Sequence, residues 1–109
     1  MARTVADMLF GTLEQIGVRH VFGLIGDSLD PLADAIRRSR IEWVGVRHEE
    51  AAALAATGQA KPNGRLPVCA GATGPGSTHL VAGLYEAARD HAPVLALSGD
   101  MARKLRGID

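Results

Sequence analysis

A single cysteine, Cys69, stands in the 109 residues, which excludes an internal disulfide and a CxxC metal or redox site. There is no excess of charge of either sign. Lys+Arg and Asp+Glu balance at 12 each, and the arginines are scattered, so the chain lacks the electrostatic footprint of a partner for nucleic acid or anionic membrane. No apolar run approaches the roughly 20 residues of a membrane span. Asp7 and Glu14 interrupt the N-terminal stretch where a leader would need to be apolar, and a soluble, cytoplasmic chain without a membrane segment is expected. The common nucleotide motifs are missing as well. GATGPG has the spacing G-x-x-G-x-G, not G-x-G-x-x-G, and no G-x-x-x-x-G-K-[ST] occurs. Ser77 and Ser98 lie outside any G-x-S-x-G elbow. His20, His48, His79 and His91 include no pair at i, i+4 spacing, so no metal site is expected.

What is present is one alternation, repeated. With 47% hydrophobic residues the chain can build a single packed core. Thr4 and Asp7 form a capping-box pattern, and Val5, Met8, Leu9, Leu13 and Ile16 recur at helical spacing until Gly17. Residues 18–25 are short, apolar and β-branched, a strand. A second helix carries Leu32, Ala35 and Ile36, and residues 42–46 give a second strand. A third helix covers 49–60, KPNGR at 61–65 reads as a turn, and Leu66 to Ala70 is a third strand. After the glycine-rich GATGPG comes a helix from His79 to Arg89, then a fourth strand from Val94 to Leu97. Strands that read as near-continuous apolar runs imply burial on both faces of a parallel sheet. The fold class that follows is α/β, an open parallel sheet with helices on both faces.

The unusual residues gather at one set of strand ends. Ligands of open parallel sheets bind outside the carboxyl ends of the strands, and here those ends carry Ile25-Gly26-Asp27-Ser28, Arg47-His48-Glu49, Gly71 to Gly76, and Ser98-Gly99-Asp100. Asp27, Ser28 and Thr73 could equally be helix caps. Arg47-His48-Glu49-Glu50 is harder to explain away. It stands between an apolar strand and an alanine-rich helix, so at least one ionisable group lies close to the core. Burying a carboxylate there costs several kcal/mol, on the order of a broken ion pair, unless it is paired or protonated.

The runs VADMLFGTLEQIGVRHVFGLIGDSLDPL, RHEEAAALAATGQA and LPVCAGATGPGSTHLVAGLYEAARDHAPVLALSGD together resemble the N-terminal pyrimidine-binding (PYR) domain of thiamine-diphosphate-dependent enzymes of the pyruvate oxidase and acetolactate synthase group. The likeness covers nearly the whole chain. GDSL, IEW, RHEE, VCAG and His79 most resemble the flavin-dependent pyruvate dehydrogenases that pass electrons to a quinone. Acetolactate synthases usually have P-G-G where this chain has Ile25-Gly26-Asp27, and asparagine in place of His79.

The resemblance implies a flavodoxin-like PYR domain and gives the opening glutamate of RHEE, Glu49, a task. It hydrogen-bonds N1′ of the cofactor's aminopyrimidine and favours the imino tautomer. A site at a strand end in an apolar crevice is expected to raise its pKa. Glu50 is the expected bystander. Gly26 and the loop Thr73, Gly74, Pro75 and Gly76 are expected against the cofactor, His79 toward the substrate, and Asp27 as an acid that assists proton transfer. Cys69 is expected to be an inert core residue. The substrate implied is a 2-oxo acid, pyruvate, and the assembly a homo-oligomer, dimer or tetramer. Residues 1–109 are read as a single partial, C-terminally truncated domain. Mg²⁺ and FAD belong to middle and diphosphate-binding domains that the sequence lacks, so the chain alone is expected to be inactive. An acetolactate synthase-like domain, or a truncated and catalytically inactive one, is the alternative.

Overall fold

The computed structural model describes residues 3–63 and 65–105. Its elements are α1 (Val5–Gln15), β1 (His20–Gly23), a 3-10 turn (Asp27–Leu29), α2 (Asp30–Arg37), β2 (Glu42–Gly45) and α3 (Glu49–Asn63). They continue with β3 (Val68–Gly71), α4 (Pro75–Thr78), α5 (Val81–Arg89), β4 (Leu95–Ser98) and a 3-10 turn (Arg103–Leu105). The four strands form one parallel sheet in the order β2-β1-β3-β4. The chain steps one way from β1 to β2 and the other way from β2 to β3 and β4. Crossovers in parallel sheets are right-handed, so this reversal puts α2 on one face and α3 and α5 on the other. The core divides accordingly. One cluster holds Phe10, Leu13, Leu29, Ile36 and Ile41 with α1 and α2, and the other holds Ala52, Ala53, Ala56, Cys69 and Leu80 with α3 and α5.

Local chemistry sets the element ends. The Thr4 hydroxyl accepts from the Asp7 N–H at 3.0 Å and Asp7 Oδ2 accepts from the Thr4 N–H at 3.0 Å, which closes the expected capping box on α1. At the other end of α1, Gly17 takes φ +94°, the left-handed conformation that ends a helix cheaply only with glycine. The stripe of α1 is rotated from the expected one. Ala6, Phe10 and Leu13 face the core, while Val5, Met8 and Ile16 are exposed, because the Phe10 ring fills the slot under the sheet and sets the phase.

Two element boundaries and the burial of the strands also differ from expectation. The α3 helix runs through Lys61 and Pro62 instead of ending at residue 60. A proline in the last turn forfeits one hydrogen bond, and Lys61 of that turn forms an ion pair with Asp90 after α5. Gly64 of the expected turn lies outside the described residues. Within the glycine loop, Pro75–Thr78 forms a helical turn, so the expected helix from His79 is two pieces, α4 and α5, with His79 as the C-cap of the first. The strands are also less uniformly covered than the apolar runs suggest. Only β3 is buried at every position, whereas β2 and β4 are edges and mostly half-buried or exposed. Cys69 on β3 is buried, and burial pushes its thiol up to about 11, which makes it the inert core residue expected. Among the described residues no helix is long and apolar enough to cross a membrane.

Candidate active site

The loops at the carboxyl ends of the strands are tied to one another. Ser28, after β1, accepts through Oγ from the Thr73 N–H at 3.0 Å, which joins the β1 loop to the β3 loop. The Ser77 hydroxyl donates to the Ala72 carbonyl at 2.7 Å, and the Ser98 hydroxyl, at the end of β4, donates to Ser77 Oγ at 2.6 Å. Gly74 takes φ +71° between these bonds, a conformation that disfavours any residue with a Cβ. Pro75 then starts α4 at its first position, where its missing N–H costs nothing. Capping is a poor explanation for the polar residues here, since no side chain caps the 3-10 turn at Asp27, α2 or α4.

The loop after β2 delivers the buried charge. His48 Nδ1 accepts from the Glu50 N–H at 3.1 Å and the His48 carbonyl accepts from the Ala51 N–H, so His48 caps α3. Glu49, the next residue, is 6% exposed and is turned toward the β3 loop, while Glu50 points to solvent. Glu49 Oε1 lies 3.0 Å from His79 Nδ1. Its Oε2 would stand 3.4 Å from a Cβ placed on Gly76, so the bare glycine keeps the space beside that oxygen open. The His79 ring stacks on His48 with centroids 4.3 Å apart and planes 25° apart.

The electrostatics correct one expectation. Burial does push the Glu49 carboxyl upward, but the hydrogen bond to His79 and its own backbone N–H outweigh it, and the carboxyl is held below the ordinary glutamate range. An apolar crevice alone would have raised it; a hydrogen-bond donor stabilises the charged form instead.

Every expected site residue therefore falls on one rim. His79 is bonded to Glu49, Gly76 lies beside Glu49 Oε2, Thr73 is bonded to the β1 loop, and Gly26 packs so closely on Ala72 that a Cβ there would stand 2.7 Å from the alanine's. Asp27 is exposed at the start of the 3-10 turn, and no contact with Glu49 joins it to this group. The histidine pair is what sequence spacing missed. His48 and His79 lie on different loops, and only the sheet order brings them together. With Glu49 they are a three-ligand group whose atoms lie within 4.8 Å of one another. Two imidazoles and one carboxylate are unlike the oxygen set Mg²⁺ takes, and both Nδ1 atoms are already engaged.

In open parallel α/β sheets ligands bind outside the carboxyl ends of the strands, the rim on which Glu49 and Gly76 lie. Residues 3–109 match the family described as thiamine pyrophosphate enzyme, N-terminal TPP binding domain, and the chain belongs to that family. It is 51% identical over 89 residues to the pyruvate oxidase of Lactiplantibacillus plantarum, covering 80% of this chain and 15% of the relative. An uncharacterized 42.6 kDa protein of Pseudomonas amyloderamosa is 48% identical over 100 residues, 90% of this chain and 25% of the relative. The acetolactate synthase of Arthrospira platensis is 43% identical over 110 residues, 97% of this chain and 19% of the relative. The chain thus spans between about a seventh and a quarter of the length of these relatives.

Proposed function

We propose that this chain receives the aminopyrimidine end of thiamine diphosphate, with Glu49 as the partner of ring nitrogen N1′. The whole protein then acts on pyruvate as an oxidoreductase of the pyruvate oxidase or quinone-dependent pyruvate dehydrogenase type. The observation that carries this reading is the buried Glu49 carboxyl at the end of β2, with Oε2 beside the space that Gly76 leaves open. A ring nitrogen suits that oxygen as a hydrogen-bond partner.

When bound, thiamine diphosphate supplies a thiazolium carbon that adds to the carbonyl of a 2-oxo acid and takes up the electrons left as CO2 departs. Glu49 exchanges a proton with the ring nitrogen at Oε2; before the ring binds, its carboxyl, held below the ordinary range, is the ionised form that accepts that proton. Gly26, Thr73, Gly74, Pro75 and Gly76 present backbone to the cofactor, since glycine permits the closest approach. His79 engages Glu49 through Nδ1, which leaves Nε2 as the atom that meets the substrate. Asp27 assists proton transfer from the opposite loop. By the same reading, Mg²⁺, the diphosphate and FAD are held by other parts of a homo-oligomeric protein.

The higher identity to a pyruvate oxidase supports the oxidoreductase over the second reading, an acetolactate synthase-like enzyme, which the 43% identity over 110 residues favours. A turnover assay separates them. Pyruvate, thiamine diphosphate, Mg²⁺, FAD and an artificial electron acceptor are given to a polypeptide carrying this chain with the rest of the enzyme. Acceptor reduction that stops when thiamine diphosphate is omitted is the expected result. Acetolactate without acceptor reduction favours the second reading, and no turnover in either assay contradicts both.

A further inference from the structure

We propose that His79 is a positioning residue for Glu49: its Nδ1 holds Oε1, so that Oε2, the oxygen beside Gly76, is the one presented to the aminopyrimidine. The proposal rests on the reading of Glu49 given above and deepens it. A glutamate has three rotatable torsions, and a carboxylate held only by its own helix would sample several orientations of its two oxygens. Freezing such a side chain costs rotamer freedom, so a fixed partner determines how much of that cost remains to be met when a ligand arrives.

His79 is itself fixed, by a chain of contacts that starts in the backbone. The Glu50 N–H donates to His48 Nδ1, which places the proton of the neutral His48 ring on Nε2. The His48 ring lies flat against the His79 ring at 4.3 Å. The His79 backbone is held from the other side, as the C-cap of α4 whose N–H donates to the Pro75 carbonyl at 2.9 Å. With its ring held and its Nδ1 3.0 Å from a buried carboxylate, His79 is the donor and Oε1 the acceptor. A residue needed only to end α4 could do so through its backbone, with any side chain; the ring's two contacts are additional to that task. The two loops that meet here begin on strands not adjacent in the sheet, β2 and β3, so the contact also sets the distance between them.

The discriminating substitutions follow from the position of the donor. In His79→Asn, Nδ2 stands where Nδ1 did, and in His79→Leu the volume remains but the donor is lost. His79 is 43% exposed at the side chain, so neither variant opens a cavity. The titratable groups facing the Glu49 carboxyl are His79 from the α4 side and His48 from the loop before α3. In the 109-residue chain, the Glu49 carboxyl is followed by carbon NMR as pH is varied. The titration should lie below an ordinary glutamate's in the wild type and in His79→Asn, and should move to higher pH in His79→Leu, where burial is no longer opposed. In a polypeptide carrying this chain with the rest of the enzyme, both variants lose the Nε2 contact to substrate but only His79→Leu also loses the donor to Glu49, so the leucine variant should lower kcat about tenfold further than His79→Asn does.

A Glu49 titration unmoved in His79→Leu overturns the proposal. So does an equal loss of kcat in the Asn and Leu variants, which would assign His79 a role other than donor to Glu49. Turnover that survives Glu49→Gln overturns the underlying reading, and the proposal with it, whatever the titration shows.

Discussion

The two faces of the sheet are packed by different means. The layer between the sheet and α1 and α2 holds bulky side chains, Phe10, Leu13, Leu29 and Ile36, while the layer on the α3 and α5 side holds mainly Ala52, Ala53, Ala56 and Cys69. Bulky residues fill space between elements that stay apart; alanine and glycine let backbones come close. A Cβ on Gly83 of α5 would stand 2.3 Å from Ala53 Cβ on α3, a separation real side chains do not tolerate. The bonded pair Glu49 and His79 is tied to the second face, since Glu49 opens α3 and His79 stands just before α5. The first face makes the domain stable, and the second fixes two loops relative to each other.

The largest effect should come from the bulky face. Phe10→Ala removes a ring that is 1% exposed and should cost about 3–5 kcal/mol in urea unfolding. The Glu49 titration of the molecules that remain folded should be unchanged. Gly83→Val should cost less, about 2 kcal/mol through overpacking, yet should shift the Glu49 titration because α3 and α5 are forced apart. If the valine variant is as stable as wild type, the close approach is not a constraint. Thr57 is the polar link across the same contact, 3% exposed with its hydroxyl donating to the Ala53 carbonyl at 2.8 Å and near the Gly83 carbonyl at 3.3 Å. Thr57→Val keeps the shape and should cost about 1 kcal/mol, and a neutral result would mean that packing alone holds the helices.

Acid should produce the smallest effect. The carboxyls of Asp7, Asp34, Asp90 and Glu49 are all held below their ordinary ranges: Asp7 by the Thr4 N–H and Arg38, Asp34 by Arg37 and Arg38, Asp90 by Lys61, and Glu49 by His79 against the upward push of burial. A depressed folded pKa means that each contributes stability above its unfolded value, about pH 4, and that the contribution is lost as pH falls through the lower folded value. The aspartates are at the surface, so high salt should weaken their contribution. Glu49 is buried, so its contribution should persist in salt. Unfolding followed against pH at low and high salt distinguishes the two kinds of carboxyl.

The fold was largely legible because its signals are local. Breakers, the Thr4–Asp7 capping box and short apolar runs are each readable within a few residues, and the parallel alternation follows from them. The phase of α1 was not, because Val5 and Met8 satisfy helical spacing as well as Ala6 and Phe10 do, and only tertiary packing favours the ring. Edge strands were not legible either, because Trp43 and Val44 on β2 read as apolar as Val68 and Cys69 on β3 whether or not a neighbour covers them. At the site, Glu49 was marked by being a carboxylate between a strand and an alanine-rich helix. The sign of its pKa shift was hidden, since it depends on a histidine 30 residues away that the order β2-β1-β3 brings within reach.

One carboxyl, that of Glu49, carries the proposed chemistry, and its neighbour in sequence is the natural control. Glu49 and Glu50 share a helix turn and differ in burial. The decisive measurement is the thiamine-diphosphate-dependent turnover of pyruvate by Glu49→Gln and Glu50→Gln, made in a polypeptide carrying this chain with the rest of the enzyme. An amide at residue 49 cannot exchange a proton with the cofactor ring, so kcat and kcat/KM should fall together by about 100-fold or more, with the Glu50 variant within a few-fold of wild type. Equal activity in the two variants, or a greater loss at Glu50, would contradict the assignment of Glu49 as the activating group.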